Sequence, residues 1–179
     1  MRPIITMLLL ILLLSCNDNK KTSGNHDLPF FLFDQIEYYH TTMSKKDLQT
    51  IELNEEKTRK EQALLQILTG NIPVSIKDTL FIKNMEILGF QKDTIDYKLN
   101  SKISHLFSFR ETDEPVVTKC HSGFLDVLIF RKKTKIIGIA KINFECSTHQ
   151  MIGERYNDSK FGQFGEYEEL KKILSQYHP

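Results

Sequence analysis

The chain is expected to fold as a single α+β domain in which an antiparallel sheet, built around a central hairpin, packs against several helices. Three observations carry this. Two β-branched runs, Phe124 to Phe130 and Ile136 to Phe144, flank the short polar break Arg131 to Lys135, which is the pattern of an antiparallel hairpin. Several segments instead repeat their apolar residues at spacings of three and four. Strands and helices do not alternate as βαβ units, so a parallel sheet is not indicated. With 179 residues, 40% hydrophobic and 26% charged, the chain supports one ordinary globular core rather than two.

Within the body, the first expected strand covers 35–42, where Gln35-Ile36-Glu37-Tyr38-Tyr39-His40 alternates loosely and is rich in strand formers. Residues 45–53 stay unassigned: Ser44 to Asp47 could open a helix, but apolar positions after it are sparse. A helix is expected over 55–69, with Asn54 as N-cap, Glu55 and Glu56 in the first turn, and Gly70 closing it. Its apolar face is Ala63, Leu64, Ile67 and Leu68. A second helix follows Pro73, opened by a capping-box-like pair of Ser75 and Asp78, lined by Phe81, Met85 and Leu88, and stopped by Gly89. A shorter helix near 101–108 turns Ile103, Leu106 and Phe107 inward.

The hairpin strands are apolar on both faces, which predicts a central position covered from both sides. The last helix is expected at 166–177, where Tyr167, Leu170, Leu174 and Tyr177 recur at helical spacing. Glu166, Glu168 and Glu169 come early in it and Lys171 and Lys172 later, as the helix dipole favours. Phe161 to Gly165 reads as the turn leading into it, with its aromatics packed, and Arg131 to Lys135 as a solvated hairpin tip.

Ahead of the body stands an address. Met1-Arg2-Pro3 is a short charged leader, and Ile4 to Leu14 is a stretch of 11 residues, apolar except for Thr6. That is too short to cross a bilayer, which takes about 20 helical residues, and is the right length for the core of a secretory signal. It ends in Leu13-Leu14-Ser15-Cys16. This resembles the lipobox of bacterial lipoproteins: an aliphatic residue three before the cysteine, a small residue just before it, then the cysteine. The resemblance implies cleavage before Cys16, with residues 1–15 as signal peptide and Cys16 carrying a diacylglyceryl thioether and an acylated amine. A plain secretory signal and a short membrane anchor are the alternatives. Two or more acyl chains hold a protein stably to a membrane. Residues 16–27 follow as a lipidated tether. From Asn17 to Asp27 it has no large apolar residue, and its r.m.s. reach is about 18 Å. The lipobox resemblance also carries a sorting rule, in which Asp directly after the cysteine retains the protein in the inner membrane. Asn17 occupies that slot, which makes the outer membrane the default, with the domain facing the periplasm or the surface.

Leu28 to Phe33 restores hydrophobicity and marks the start of the domain, 28–179. Lys plus Arg is 24 against 23 Asp plus Glu, and loss of Arg2 with the leader balances them. A balanced charge removes the main argument for nucleic acid as a partner.

Three cysteines occur, of which the lipobox takes Cys16. Cys120 and Cys146 remain as an even pair in an oxidising compartment, the condition for a disulfide. A three-residue loop at 132–134 pairs Arg131 with Lys135, and that register runs on to set Cys120 opposite Cys146. A four-residue loop shifts the register by one, sets Asp126 opposite Lys141, and needs a bulge at Gly123 to bring the cysteines level. Three other readings of these cysteines are a metal site with His121 and His149, redox thiols, and a cysteine nucleophile. The spacing matches no standard zinc knuckle, no C-x-x-C is present, and no third orienting group is identifiable. Neither a metal nor a cofactor is therefore expected.

The residues Cys120, Phe124, Asp126, Leu128 to Phe130, Lys135 to Ile137, Lys141, Ile142, Phe144 and Cys146 form a pattern. It resembles one shared by small uncharacterised envelope proteins with a cysteine-bracketed hairpin, covers about 27 of 179 residues, and brings no activity with it. No Walker loop, dinucleotide fingerprint, nucleophile elbow or zincin motif is present in the sequence. The candidate site residues are Asp126, an odd carboxylate in an apolar strand, and the histidines His121 and His149, with cross-hairpin pairing to Lys141 as the structural explanation of Asp126. The expected function is a lipid-anchored envelope module that binds or protects without catalysis, as an immunity-type lipoprotein does. Its partners would be the membrane, through the acyl anchor, and a protein of the envelope. An envelope hydrolase using Asp126, His121 or His149 is the alternative, and a structural subunit of an outer-membrane assembly the third.

Overall fold

The computed structural model describes residues 28–111, 120 and 123–178. The leader, Cys16, the tether and His121 therefore lie outside the described residues.

An antiparallel sheet of five strands organises the domain. In chain order its members are β2 (Gln35–His40), β3 (Gln91–Thr94), β5 (Asp126–Lys132), β6 (Lys135–Asn143) and β7 (Thr148–Ile152). In space they run β3-β2-β5-β6-β7, which places β5 at the centre. A two-residue ladder joins β1 (Leu28–Pro29) to β4 (Ser108–Phe109). The helices are α1 (Lys45–Leu53), α2 (Arg59–Leu68), α3 (Leu80–Asn84), α4 (Asn100–Leu106) and α5 (Glu166–Leu174). The fold is α+β, with helices on both faces of an antiparallel sheet.

Because side chains alternate along a strand, the apolar hairpin strands feed two cores at once. On one face Tyr38, Leu128, Phe130, Ala140 and Ile142 meet Leu106 of α4, Leu170 and Leu174 of α5, and the aromatic segment around Phe30 and Phe31. On the other, Tyr39, Val127, Ile129 and Ile139 meet Leu48, Leu64, Leu68, Phe81 and Met85 from α1, α2 and α3. The expected two-sided burial of the hairpin is what the structure has.

Several boundaries differ from expectation, each for a local reason. Residues 45–53 do form a helix, because Ser44 and Asp47 make a complete capping box, and its sparse apolar content reflects a single buried residue, Leu48. Asn54 ends that helix rather than opening the next, and its side chain accepts from the Glu56 N–H. The second helix starts at Arg59, where Thr58 and Glu61 form a better box than Asn54 can offer. Ser75 and Asp78 form a turn, and α3 begins only at Leu80. The inward residues Phe81, Met85 and Leu88 are nonetheless buried as expected. Helix α5 ends at Leu174, and Phe164 is half exposed rather than packed.

The hairpin register corrects both expected ones. Lys132 pairs with Lys135 around a two-residue turn, Lys133-Thr134, and a bulge at Ile137 then sets Phe130 opposite Gly138. The shift carries Asp126 opposite Ile142 and Lys141 opposite Val127. The proposed Asp126–Lys141 pair is not made, since the two side chains lie on opposite faces of the sheet. Cys120 and Cys146 are joined, with a Cα separation of 5.5 Å, but not as facing hairpin residues. Cys146 lies in the turn between β6 and β7, where its N–H donates to Asn143 Oδ1. The bridge ties that turn to the chain entering β5.

Candidate functional site

Strand pairing aligns four residues across the sheet on the face covered by α5. His40 on β2 stands opposite Asp126, Asp126 opposite Ile142, and Ile142 opposite His149. With adjacent strands about 4.8 Å apart, Asp126 and His149 are about 10 Å from each other, with Ile142 between them. The structure thus places the two predicted residues in one row without bringing them together.

Each belongs to its own polar cluster. Asp126 Oδ1 accepts from the Tyr38 hydroxyl at 2.5 Å. His40 packs its ring on Tyr38 and on His178, with centroids 5.2 and 4.6 Å away, and its Nε2 is 3.4 Å from Asp93 Oδ2. The C-terminal tail is pinned beside this cluster, because Tyr177 Oη accepts from the Asp96 N–H. Burial pushes the Asp126 carboxyl above the usual carboxylate range, and the Tyr38 bond and the nearby His178 and His40 oppose that shift. Burial also pushes the Tyr38 phenol up and the His40 imidazole down, His178 adding to the latter.

His149 is held between Tyr167 Oη, 2.7 Å from its Nδ1, and Asp158 Oδ2, 3.4 Å from its Nε2, with Phe161 edge-on to its ring. Glu166, the first residue of α5, is buried, where Arg110 Nη1 reaches it at 3.1 Å and the Phe164 N–H donates to it. These groups fasten the start of α5 to the sheet.

Lys141 lies on the other face and is fully buried. Its ammonium donates to the Ile72 carbonyl at 2.9 Å and sits 5.1 Å from the centre of the Phe124 ring. Burial pushes its pKa down to about 7. Its neighbour on β7, Gln150, donates to the Gly70 carbonyl. A lysine so depressed has the chemistry of a nucleophile. Yet the Ile72 carbonyl and the Phe124 ring occupy its surroundings.

Beside the disulfide a cleft of about 600 Å³ opens between α1 and the ends of the strands. Leu48, Gln49, Glu52, Thr69, Phe124 and Thr148 line it, with Cys120 in its wall. Cys120 is oxidised and offers no thiol to this cleft. Among the described residues, no three His, Cys, Asp or Glu side chains come together as a metal site, and no helix is long and apolar enough to cross a membrane.

Sequence reasoning did not select Tyr38, His40 or Tyr167 as interacting groups, and it gave Lys141 a partner, Asp126, that lies on the other face. Tyr38 and His40 could have been paired from their period-two spacing on one strand. The contacts of His149 with Tyr167 depend on where α5 lies, which no local pattern encodes. Comparison with protein families, with curated proteins and with solved structures gives no match.

Proposed function

We propose that the protein is a lipid-anchored module of the cell envelope that binds or protects without catalysis, in the manner of an immunity-type lipoprotein. The observation that carries the reading is the Cys120–Cys146 disulfide, because such a bond belongs to an oxidising compartment. It agrees with the address in Leu13-Leu14-Ser15-Cys16. The non-catalytic part draws support from the engagement of the candidate groups: Asp126 is taken up by Tyr38, and His149 by Tyr167 and Asp158. The outer membrane is the site we assign, from Asn17 after the lipidated cysteine.

Two measurements test it. Cys16→Ser should abolish incorporation of labelled fatty acid and leave the precursor uncut; label retained by that variant contradicts the anchor. Asp126→Asn, His121→Ala and His149→Ala should each preserve the cellular phenotype when the fold is preserved. A well-folded variant that loses function while keeping its partner would instead favour the envelope hydrolase.

A further inference from the structure

A second surface, remote from the disulfide, has its own chemistry. Between the α3 region and the end of the hairpin runs an open groove of about 510 Å³. Ile76, Ile82 and Ile136 supply its apolar floor, and Lys77, Lys83 and Lys135 supply exposed cations. Arg131 also lines it but is bound to Glu37 at 2.8 Å, whereas Lys132 and Lys133 at the neighbouring turn are exposed. Asp78 is adjacent to Lys77 in sequence, Glu37 is taken up by Arg131 and Lys92, and Asp34 by the Lys133 N–H. Beside the groove Val74 and Leu80 stand 77% and 71% exposed, an apolar protrusion among lysines. That combination suits the boundary of a bilayer, where apolar side chains enter the acyl region and ammonium groups meet phosphates.

A separate observation relates this surface to the start of the described chain. The chain enters the domain at Leu28, and six residues later both Asp34 carboxylate oxygens accept from the Lys133 N–H at 2.9 Å. Leu28 itself pairs with Phe109, and the chain passes the hairpin turn that carries the lysines at Asp34.

We infer that this basic, apolar-floored groove rests on the surface of an anionic phospholipid bilayer and fixes the orientation of the domain on it. The inference rests on the anchored reading for the nearness of the bilayer, and its test is independent of lipidation. The full-length protein is incubated with vesicles of phosphatidylcholine alone or with added phosphatidylglycerol, and lysine acylation rates are read by mass spectrometry. On anionic vesicles Lys77, Lys83 and Lys135 should react about fivefold more slowly, the factor matching the usual attraction per lysine, while Lys171 and Lys172 on the opposite face keep their rates. The protection should fade as salt is raised. In the Lys77→Gln/Lys135→Gln variant, Lys83 should lose it, and both changes are at exposed positions that leave the core untouched. Equal rates on the two vesicle types overturn the inference. Protection by poly-glutamate as strong as that by vesicles of equal anionic charge also overturns it, and assigns the groove to an acidic protein segment. Fatty-acid labelling reports separately on the anchor.

Discussion

Tyr38 and Asp126 meet diagonally across two paired strands: the phenol donates to Oδ1 at 2.5 Å, although Tyr38 stands opposite Leu128 and Asp126 opposite His40. The bond gives the odd carboxylate of β5 a partner on the face that α5 packs against. Tyr38→Phe would leave that half-buried carboxylate without its donor and should cost about 1–3 kcal/mol. Asp126→Asn keeps an acceptor and removes the charge, so it should cost less. Urea unfolding of both variants at neutral pH checks the order.

Lys141 predicts the opposite sign. Its pKa is about 7 when folded, against an ordinary 10.5, so the unfolded chain binds the extra proton between those values. Stability should therefore rise with pH from about 7 to 10.5 and gain nothing further from this group above that. Lys141→Met removes the penalty and should stabilise the protein at pH 7 by about 2–4 kcal/mol, less whatever the Ile72 carbonyl loses. The advantage should shrink toward pH 10.5, which thermal unfolding across that range would record.

His40 adds a second window. Burial and His178 hold its pKa below 6.5, so the folded form prefers the neutral ring. Its contribution is present above pH 6.5 and is lost as pH falls below it, where the unfolded chain takes up the proton first. His40→Gln should flatten the stability profile just below pH 6.5. An unchanged slope would remove His40 from the account.

The disulfide closes a segment with a sequence separation of 26. Reduction should cost roughly 3 kcal/mol in the chain-entropy picture. Cys120→Ala, Cys146→Ala and the double variant should lose similar amounts, since the same bond is missing in all three. Calorimetry of the oxidised, reduced and substituted proteins compares them directly.

Gly138 follows the β6 bulge with the Phe31 ring directly over it, and Phe31 in turn stacks on Phe130 at 4.5 Å. A side chain there has no room. Gly138→Val should destabilise by about 1–3 kcal/mol or more, and Phe31→Leu in the same chain should return part of it. Chemical denaturation of the single and double variants measures the coupling.

The parts of this fold that could be read from sequence are those with a strong local pattern. The hairpin runs declared both their strand character and their central position, and the face of α2 was plain in Leu64, Ile67 and Leu68. Strand β3 escaped because Gln91–Thr94 is a polar edge, and β7 because Thr148–Ile152 has few strand formers. The register failed for a physical reason: one bulged residue, Ile137, moves every later pair, and neither loop-length argument contained it. That same residue separates Asp126 from Lys141, so Asp126 was read with the wrong partner. The disulfide was right as a pair at the base of the hairpin and wrong as a facing pair, because Cys146 had already left the strand.

The central claim, an acylated protein held at the cell envelope, is tested most directly by the intact mass of the protein purified from envelopes. The account predicts a chain that begins at Cys16, carries a diacylglyceryl group and a further acyl chain, and has lost two hydrogens to the Cys120–Cys146 bridge. A chain that starts elsewhere, or a Cys16 with a free thiol, would contradict it.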